Sequence, residues 1–297
     1  MHDPSNVPWR PATKPVVRRA IVLAHFDRDG IVDPHVRQAL VEYRRFADRL
    51  VVVSNMARRL PPDVAAIVDT FIPRANVGYD FGAWRDGLAT LDRGAFDEIV
   101  CVNDSVYGPL FDLAPAFADP RTRSADLWGM VVSDQPVEGR RERPRHVQSW
   151  FFGMRRRLLE SDCFDAFWSR VEPVASKREI VTRYEIGLSQ QVLGAGLRIA
   201  GLYDASTAAR VGLGEILPQV SVFEPRRSWR LVKKSRRVHN PSELVWWRLL
   251  EAGIPYVKVG LFRVNHYGLD LGRVMVGLAR STPYDLGLIR DHLARCA

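Results

Sequence analysis

The stretch Ala20-Ile21-Val22-Leu23-Ala24-His25-Phe26-Asp27, read together with Leu50-Val51-Val52-Val53-Ser54, decides the fold class. Each is a short apolar run ending in polar residues, the pattern of a buried strand whose polar end emerges at the edge of a sheet. Between them Asp33 stands as N-cap with Pro34 at the first helical position, and Val36, Leu40, Tyr43, Ala47 and Leu50 recur at spacings of three and four. Strand, helix and strand in that order predict a βαβ unit and a parallel sheet.

The alternation continues outward. Pro61-Pro62-Asp63 opens a short helix over 64–67, 69–72 reads as a strand, and a helix is predicted from about Phe81 to Leu91. Residues 98–102 form another buried strand ending at Asn103-Asp104-Ser105. Further strands are expected over 126–133, 147–154 and 199–203, with helices over 158–171 and 184–195. The prediction is an α/β fold with a mainly parallel sheet covered by helices, and ligands in such sheets bind beyond the carboxyl ends of the strands. Asp27 and Asp104 stand at two such ends.

Composition fits one or two globular domains. The 297 residues are 46% apolar, 26% charged and 10% aromatic, which excludes a disordered chain, a collagen-like fibre and a small disulfide scaffold. Net charge is +9, from 43 basic and 34 acidic residues, yet the segment 226–237 (RRSWRLVKKSRR) holds seven basic residues and no acid. The excess is therefore local. It reads as a basic linker over 226–239, able to lie on an anionic membrane surface, and not as a nucleic-acid interface. Only five of the basic residues are lysines. Residues 1–15 hold four prolines and read as a flexible leader, while Asn240-Pro241-Ser242-Glu243 opens a helical C-terminal extension over 240–297. Cys101, Cys163 and Cys296 are widely spaced and fit a reducing compartment. With no long apolar run and no signal-peptide pattern, the expectation is a cytoplasmic protein, peripheral at the inner face of the cell membrane.

Three constellations can carry chemistry. In Arg74-Ala-Asn76-Val-Gly78-Tyr-Asp80-Phe-Gly82-Ala-Trp84 the glycines let backbone approach a ligand and a helix N-terminus faces an anion, although a plain strand-to-helix turn with Asp80 as N-cap has the same residues. In Val102-Asn103-Asp104-Ser105 a carboxylate at a strand end, flanked by neutral oxygens, suits a hard divalent cation bridging to a diphosphate, or equally an Asp turn. In Thr182-Arg-Tyr184-Glu185 the glutamate can serve as a general base or can close a capping box with Thr182. His146 and Gln148 alternate on one face of an expected strand and can meet an acceptor, although an exposed polar strand face explains them as well. No nucleophile elbow, Walker loop, dinucleotide fingerprint or zinc spacing is present.

Taken in order, AHFD, RANVGYDFGAW, VNDSVYGPL, DLWGM, HVQSWFFGM and YEIGLSQQVLGAGL resemble the rhamnan synthesis protein F family, bacterial polysaccharide glycosyltransferases, over about residues 20–205. The segment 240–265 is similar to a C-terminal piece that accompanies such enzymes. The resemblance implies a GT-A-like domain over 16–225 that transfers a sugar, with inversion, from a nucleotide-diphosphate donor such as dTDP-rhamnose to a glycan or lipid-linked acceptor. It implies Asp27, Arg74, Asn76, Gly78, Asp80, Asn103 and Asp104 near the nucleotide sugar, with Asp104 at an Mg2+ or Mn2+ ion. Glu185 would be the catalytic base, and His146, Gln148 and Ser149 would lie on the acceptor side. Where the wider glycosyltransferase pattern places two acids, this chain has Asn103, Asp104 and Ser105. Two other readings remain open: a catalytically silent homologue that scaffolds polysaccharide assembly, and a basic protein that binds anionic surfaces.

Overall fold

The computed structural model describes residues 17–134, 144–174, 176–209, 211–220 and 240–296. The leader expected over 1–15 and the basic stretch 226–237 lie outside them. Strand β1 (Arg19–His25) is buried on both faces along its whole length, as its continuous apolar run requires. It pairs in parallel with β2 (Arg49–Ser54) and with β4 (Glu98–Asn103), and β2 pairs in parallel with β3 (Thr70–Pro73). The order β3-β2-β1-β4 is that of one half of a doubly wound sheet.

Beyond β4 the sheet becomes mixed. After the short strand β5 (Val106–Tyr107) come β6 (Leu127–Ser133), β7 (His146–Val147), β8 (Phe151–Arg155) and β9 (Ile199–Asp204). β8 is antiparallel to both β4 and β6, while β9 is parallel to β6. Eight strands form this sheet. The single strand expected over 147–154 is thus two, because at Ser149 the backbone N–H leaves the ladder and donates to the Glu185 carboxylate.

Alternation in β1 divides the core. Ala20, Val22 and Ala24 face one hydrophobic cluster, with Phe81 and Trp84 of the helix Tyr79–Leu88; Ile21 and Leu23 face another, with Val36, Leu40 and Tyr43 of the helix Pro34–Arg44. Each such side chain, once buried, stabilises the fold by about 1.5–3 kcal/mol. The first helix lies so close that a Cβ on Gly87 would meet Val22 at 2.5 Å, and Trp84 is tied to β4 by an Nε1–H bond to the Val102 carbonyl at 2.9 Å. These contacts give Gly87 and Trp84 of the helix Tyr79–Leu88 a packing role.

Two helical expectations are revised. The helix expected over 158–171 is two helices, Arg156–Leu159 and Asp162–Trp168, interrupted where Ser161 takes up extended backbone. The helix expected over 184–195 begins earlier, as a π-helical segment Ile180–Glu185 that runs on as Ile186–Gly194. Asp33 occupies the N-cap position without making a cap bond, since its carboxylate is bonded to Arg295.

The C-terminal residues are packed against the sheet domain. Strand β10 (Val257–Lys258) pairs antiparallel with β5, placing Lys258 opposite Val106. Leu244, Trp246, Phe262 and Leu278 share a third core cluster with Tyr107 and Leu110. The last helix, Gly287–Arg295, closes against the start of the chain through Arg295, which pairs with Asp27, Asp29 and Asp33.

Candidate active site

At the carboxyl end of β4 lies a cavity of about 700 Å3, the size of a small-molecule site. Its lining combines residues from four distant stretches: Asp80, Asn103 and Ser105; His146 to Trp150; Lys177 to Glu185; and Asn240, Glu243, Lys258 and Gly260. Of the residues singled out in the sequence, Asp80, Asn103, His146, Gln148, Ser149 and Glu185 meet here.

Glu185 reaches the cavity because it closes the π-helical segment, a widened turn of the kind that recurs at functional sites. Tyr184 beside it is buried and pinned, its hydroxyl donating to the Glu172 carbonyl at 2.8 Å and accepting the Glu172 N–H at 3.0 Å. The carboxylate is held by one oxygen. Ser149 donates both its N–H (2.8 Å) and its Oγ–H (2.5 Å) to Oε2, while Oε1 lies 3.7 Å from His146 Nε2. His146 Nδ1 is 2.8 Å from the Pro144 carbonyl, an acceptor only, so Nδ1 carries a proton and Nε2 is the nitrogen turned to Glu185. The capping box with Thr182 does not form: Glu185 spends its bonds on Ser149.

A second polar array crosses the cavity floor. Asn103 donates from Nδ2 to Asp80 Oδ2 at 2.8 Å, and its Oδ1 accepts from Ser105 N–H (3.1 Å) and Oγ–H (2.5 Å). Lys258 Nζ then donates to Ser105 Oγ at 2.9 Å and sits 5.4 Å over the Trp150 ring. Burial pushes the Asp80 carboxyl above the usual range, against the Asn103 hydrogen bond and the nearby Lys258 and Lys177. Burial likewise brings the Lys258 ammonium down to about 8, although Glu185 and Glu243 favour its charge.

Gln148 lines the cavity, yet its amide is largely spent on structure. Nε2 donates to Asn240 Oδ1 at 3.1 Å, and Oε1 accepts from Trp150 Nε1 at 3.0 Å and from Ser242 Oγ. It therefore joins the C-terminal segment to the sheet domain.

The other expected residues lie outside the cavity lining. Asp27 caps its own turn, accepting from the Asp29 and Ile31 amides, and pairs with Arg295. Arg74 bonds Asn55 Oδ1 at 2.9 Å and Asp86 at 2.9 Å, and Asn76 is exposed. Gly78, at φ 81°, precedes Tyr79 at φ 52°; this left-handed pair turns the chain into the helix that carries Asp80. Asp104 accepts the Phe26 N–H through Oδ2 at 2.7 Å, and burial, reinforced by Asp80 and Asp27, pushes its carboxyl up to about 8.

These donors do not assemble a divalent-cation site. Hard cations take several oxygens at once. Here Asp104 turns to the Phe26 amide, Asp80 is bonded to Asn103, and the group bonded to Ser105 between strand end and cavity is the Lys258 amine. Among the described residues one trio, Asp33, His35 and His292, brings metal-type ligand atoms together, but both oxygens of Asp33 are bonded to Arg295 and the trio is not part of the cavity. Asp33 and His35 are two residues apart, but His292 comes from the last helix, so no sequence spacing announces the trio.

Sequence reading missed Lys258, Lys177, Asn240 and Glu243. One signal was available: in a chain so rich in arginine, two of the five lysines, Lys177 and Lys258, line this cavity.

Comparison with known proteins agrees with the motif order. The family described as Rhamnan synthesis protein F matches residues 50–226. "Virulence protein VirA" of Vibrio anguillarum is 27% identical over 226 residues, covering 74% of this chain and 70% of that one. "Uncharacterized protein y4gN" of Sinorhizobium fredii is 27% identical over 134 residues, 44% of this chain and 34% of its own. Among solved structures, glucosyl-3-phosphoglycerate synthase from Mycobacterium tuberculosis, in complex with Mn2+, UDP and glucosyl-3-phosphoglycerate, is 16% identical with a TM-score of 0.38 over 69% of this chain and 76% of its own. CMP:2-keto-3-deoxy-manno-octonic acid synthetase complexed with CTP is 13% identical with a TM-score of 0.35 over 73% and 99%. The family match spans more than half of the sequence and includes the β4 end and the Glu185 helix, and the chain belongs to the rhamnan synthesis protein F family.

Proposed function

We propose that this protein is a nucleotide-sugar-dependent glycosyltransferase of polysaccharide synthesis. In this reading it moves rhamnose, with inversion, from a nucleoside-diphosphate donor to a growing glycan or lipid-linked acceptor. The observation that carries the reading is Glu185: a carboxylate fixed through Oε2 by Ser149, with Oε1 beside His146 in a cavity that opens at the end of β4.

The step requires a base on one side of the anomeric carbon and a leaving group on the other. The acceptor oxygen forms the new bond to carbon while its proton passes to Glu185. The bond from that carbon to the donor phosphate oxygen breaks, and its electron pair leaves with the nucleoside diphosphate. Ser149 holds the geometry of the carboxylate, and no step runs through a metal ion. The segments 16–225 and 240–297 act in this reading as one catalytic unit, since Asn240, Glu243 and Lys258 complete the cavity. No helix among the described residues is long and apolar enough to cross a membrane. We assign the basic stretch 226–237 to an anionic membrane surface or a lipid-linked diphosphate, with the enzyme peripheral at the inner face.

A panel of nucleotide sugars tested for binding by thermal shift, followed by product formation with the best donor, tests the reading. Stabilisation by a nucleoside-diphosphate sugar, with transfer lost in Glu185→Gln, is expected. A folded protein that binds none of them would overturn it and favour the scaffold alternative.

A further inference from the structure

We propose that Lys258, held by Ser105 at the end of β4, is the cation that binds the donor's diphosphate, so that the site takes a diphosphate without a divalent metal ion. This rests on the transferase reading above and assigns to its donor side a residue from the C-terminal segment.

A charged group taken out of water is retained only where something compensates it. Lys258 has three N–H donors, and among the described residues it spends one on Ser105 Oγ and turns its charge to the face of Trp150. Glu185 and Glu243 are close enough to favour its charge, but neither forms an ion pair with it. Two donors are left for an anion in a cavity that it lines.

Position supports the same ligand. The β10–β5 pairing sets Lys258 opposite Val106, beside the carboxyl end of β4, where open α/β sheets bind their ligands. Lys177, exposed at the rim of the same cavity, adds a second positive charge. Glu185 stands in the same cavity, and a sugar between the two has its diphosphate at the cation and its reacting carbon toward the base. As the glycosidic oxygen–carbon bond breaks, the electron pair and the new negative charge remain on the phosphate oxygen, where an ammonium stabilises them.

The test is calorimetric titration of the full chain with inorganic diphosphate, dTDP and UDP, first in EDTA and then with Mn2+, on the native protein, Lys258→Met and Lys258→Arg. The expected result is binding in EDTA that weakens about 30-fold or more in Lys258→Met and is largely restored in Lys258→Arg. Should Lys258→Met melt early, the pH profile decides: native binding falls above about pH 8, while Lys258→Arg holds its affinity. Binding in EDTA that Lys258→Met leaves intact, or binding that appears only with Mn2+, overturns the inference and leaves the transferase reading standing. Binding of inorganic diphosphate through Lys258 with no affinity for dTDP, UDP or any nucleotide sugar of the panel keeps the anion site and overturns the transferase reading.

Discussion

Ser149 gives both its amide and its hydroxyl to the same oxygen of Glu185, at 2.8 and 2.5 Å, leaving the other oxygen beside His146. That asymmetry explains why β7 and β8 are separate strands. The ladder breaks where the backbone amide is needed to orient a carboxylate. It also makes the two oxygens chemically unequal, one structural and one available to a hydroxyl proton.

The first prediction concerns Glu185. In Glu185→Gln the amide oxygen can still accept from Ser149, so the fold is kept while the base is lost. Transfer is expected to fall by about 10²–10⁴-fold with donor binding little changed. Initial rates with saturating donor, compared with the melting temperature, check this; a fall in donor binding of the same size would assign Glu185 to positioning.

Lys258 gives opposite signs to ligand binding and to stability. Its folded value is about 8 against an ordinary 10.5, set by burial and Lys177 against Glu185, Glu243 and Asp80. Between about pH 8 and 10 the unfolded chain holds a proton that the folded one has released, so Lys258 makes stability rise with pH in that window. Diphosphate binding should fall across the same window, because the ammonium is being lost. Paired titrations and denaturant melts on the native protein and Lys258→Met measure both slopes.

Asp104 is the reverse case. Its folded value is raised to about 8, so from about pH 4 to pH 8 the folded state holds a proton that the unfolded state has released, and its contribution to stability is lost as pH rises. Asp104→Asn keeps an oxygen for the Phe26 amide and removes the titration. Urea midpoints at pH 5 and pH 8 should therefore lie closer together in the variant, and transfer measured in EDTA should change by less than about 10-fold, below the loss of a catalytic group.

Arg295 tests how the C-terminal helix is held. Its guanidinium bonds Asp27 and Asp33, whose side chains are 8% and 7% exposed, while it is itself 24% exposed. Arg295→Met leaves two nearly buried carboxylates without their partner. The loss expected is about 2–3 kcal/mol, smaller than for a fully buried pair because solvent reaches the guanidinium. Chemical denaturation gives the value, and limited proteolysis should show earlier cleavage near the C-terminus.

The sequence by itself determined the sheet's parallel half and the placement of Asp80 at a helix start and Asn103 at a strand end. Those follow from local causes: apolar runs long enough to be buried, a proline at N1, and polar residues where a strand emerges. It also marked Ser105 within a motif and counted the scarce lysines, without joining them. Tertiary structure decided the rest. Whether Glu185 capped its helix or served the cavity depended on Ser149, 36 residues away, and the cation beside Ser105 arrives from 153 residues further on. Asp27, Arg74 and Asp104 were equally legible as polar residues near strand ends, yet each is occupied by a partner that no local spacing reveals. Periodicity records which face of an element is buried; which polar groups meet across the finished fold is fixed by pairing register and by the docking of the C-terminal segment.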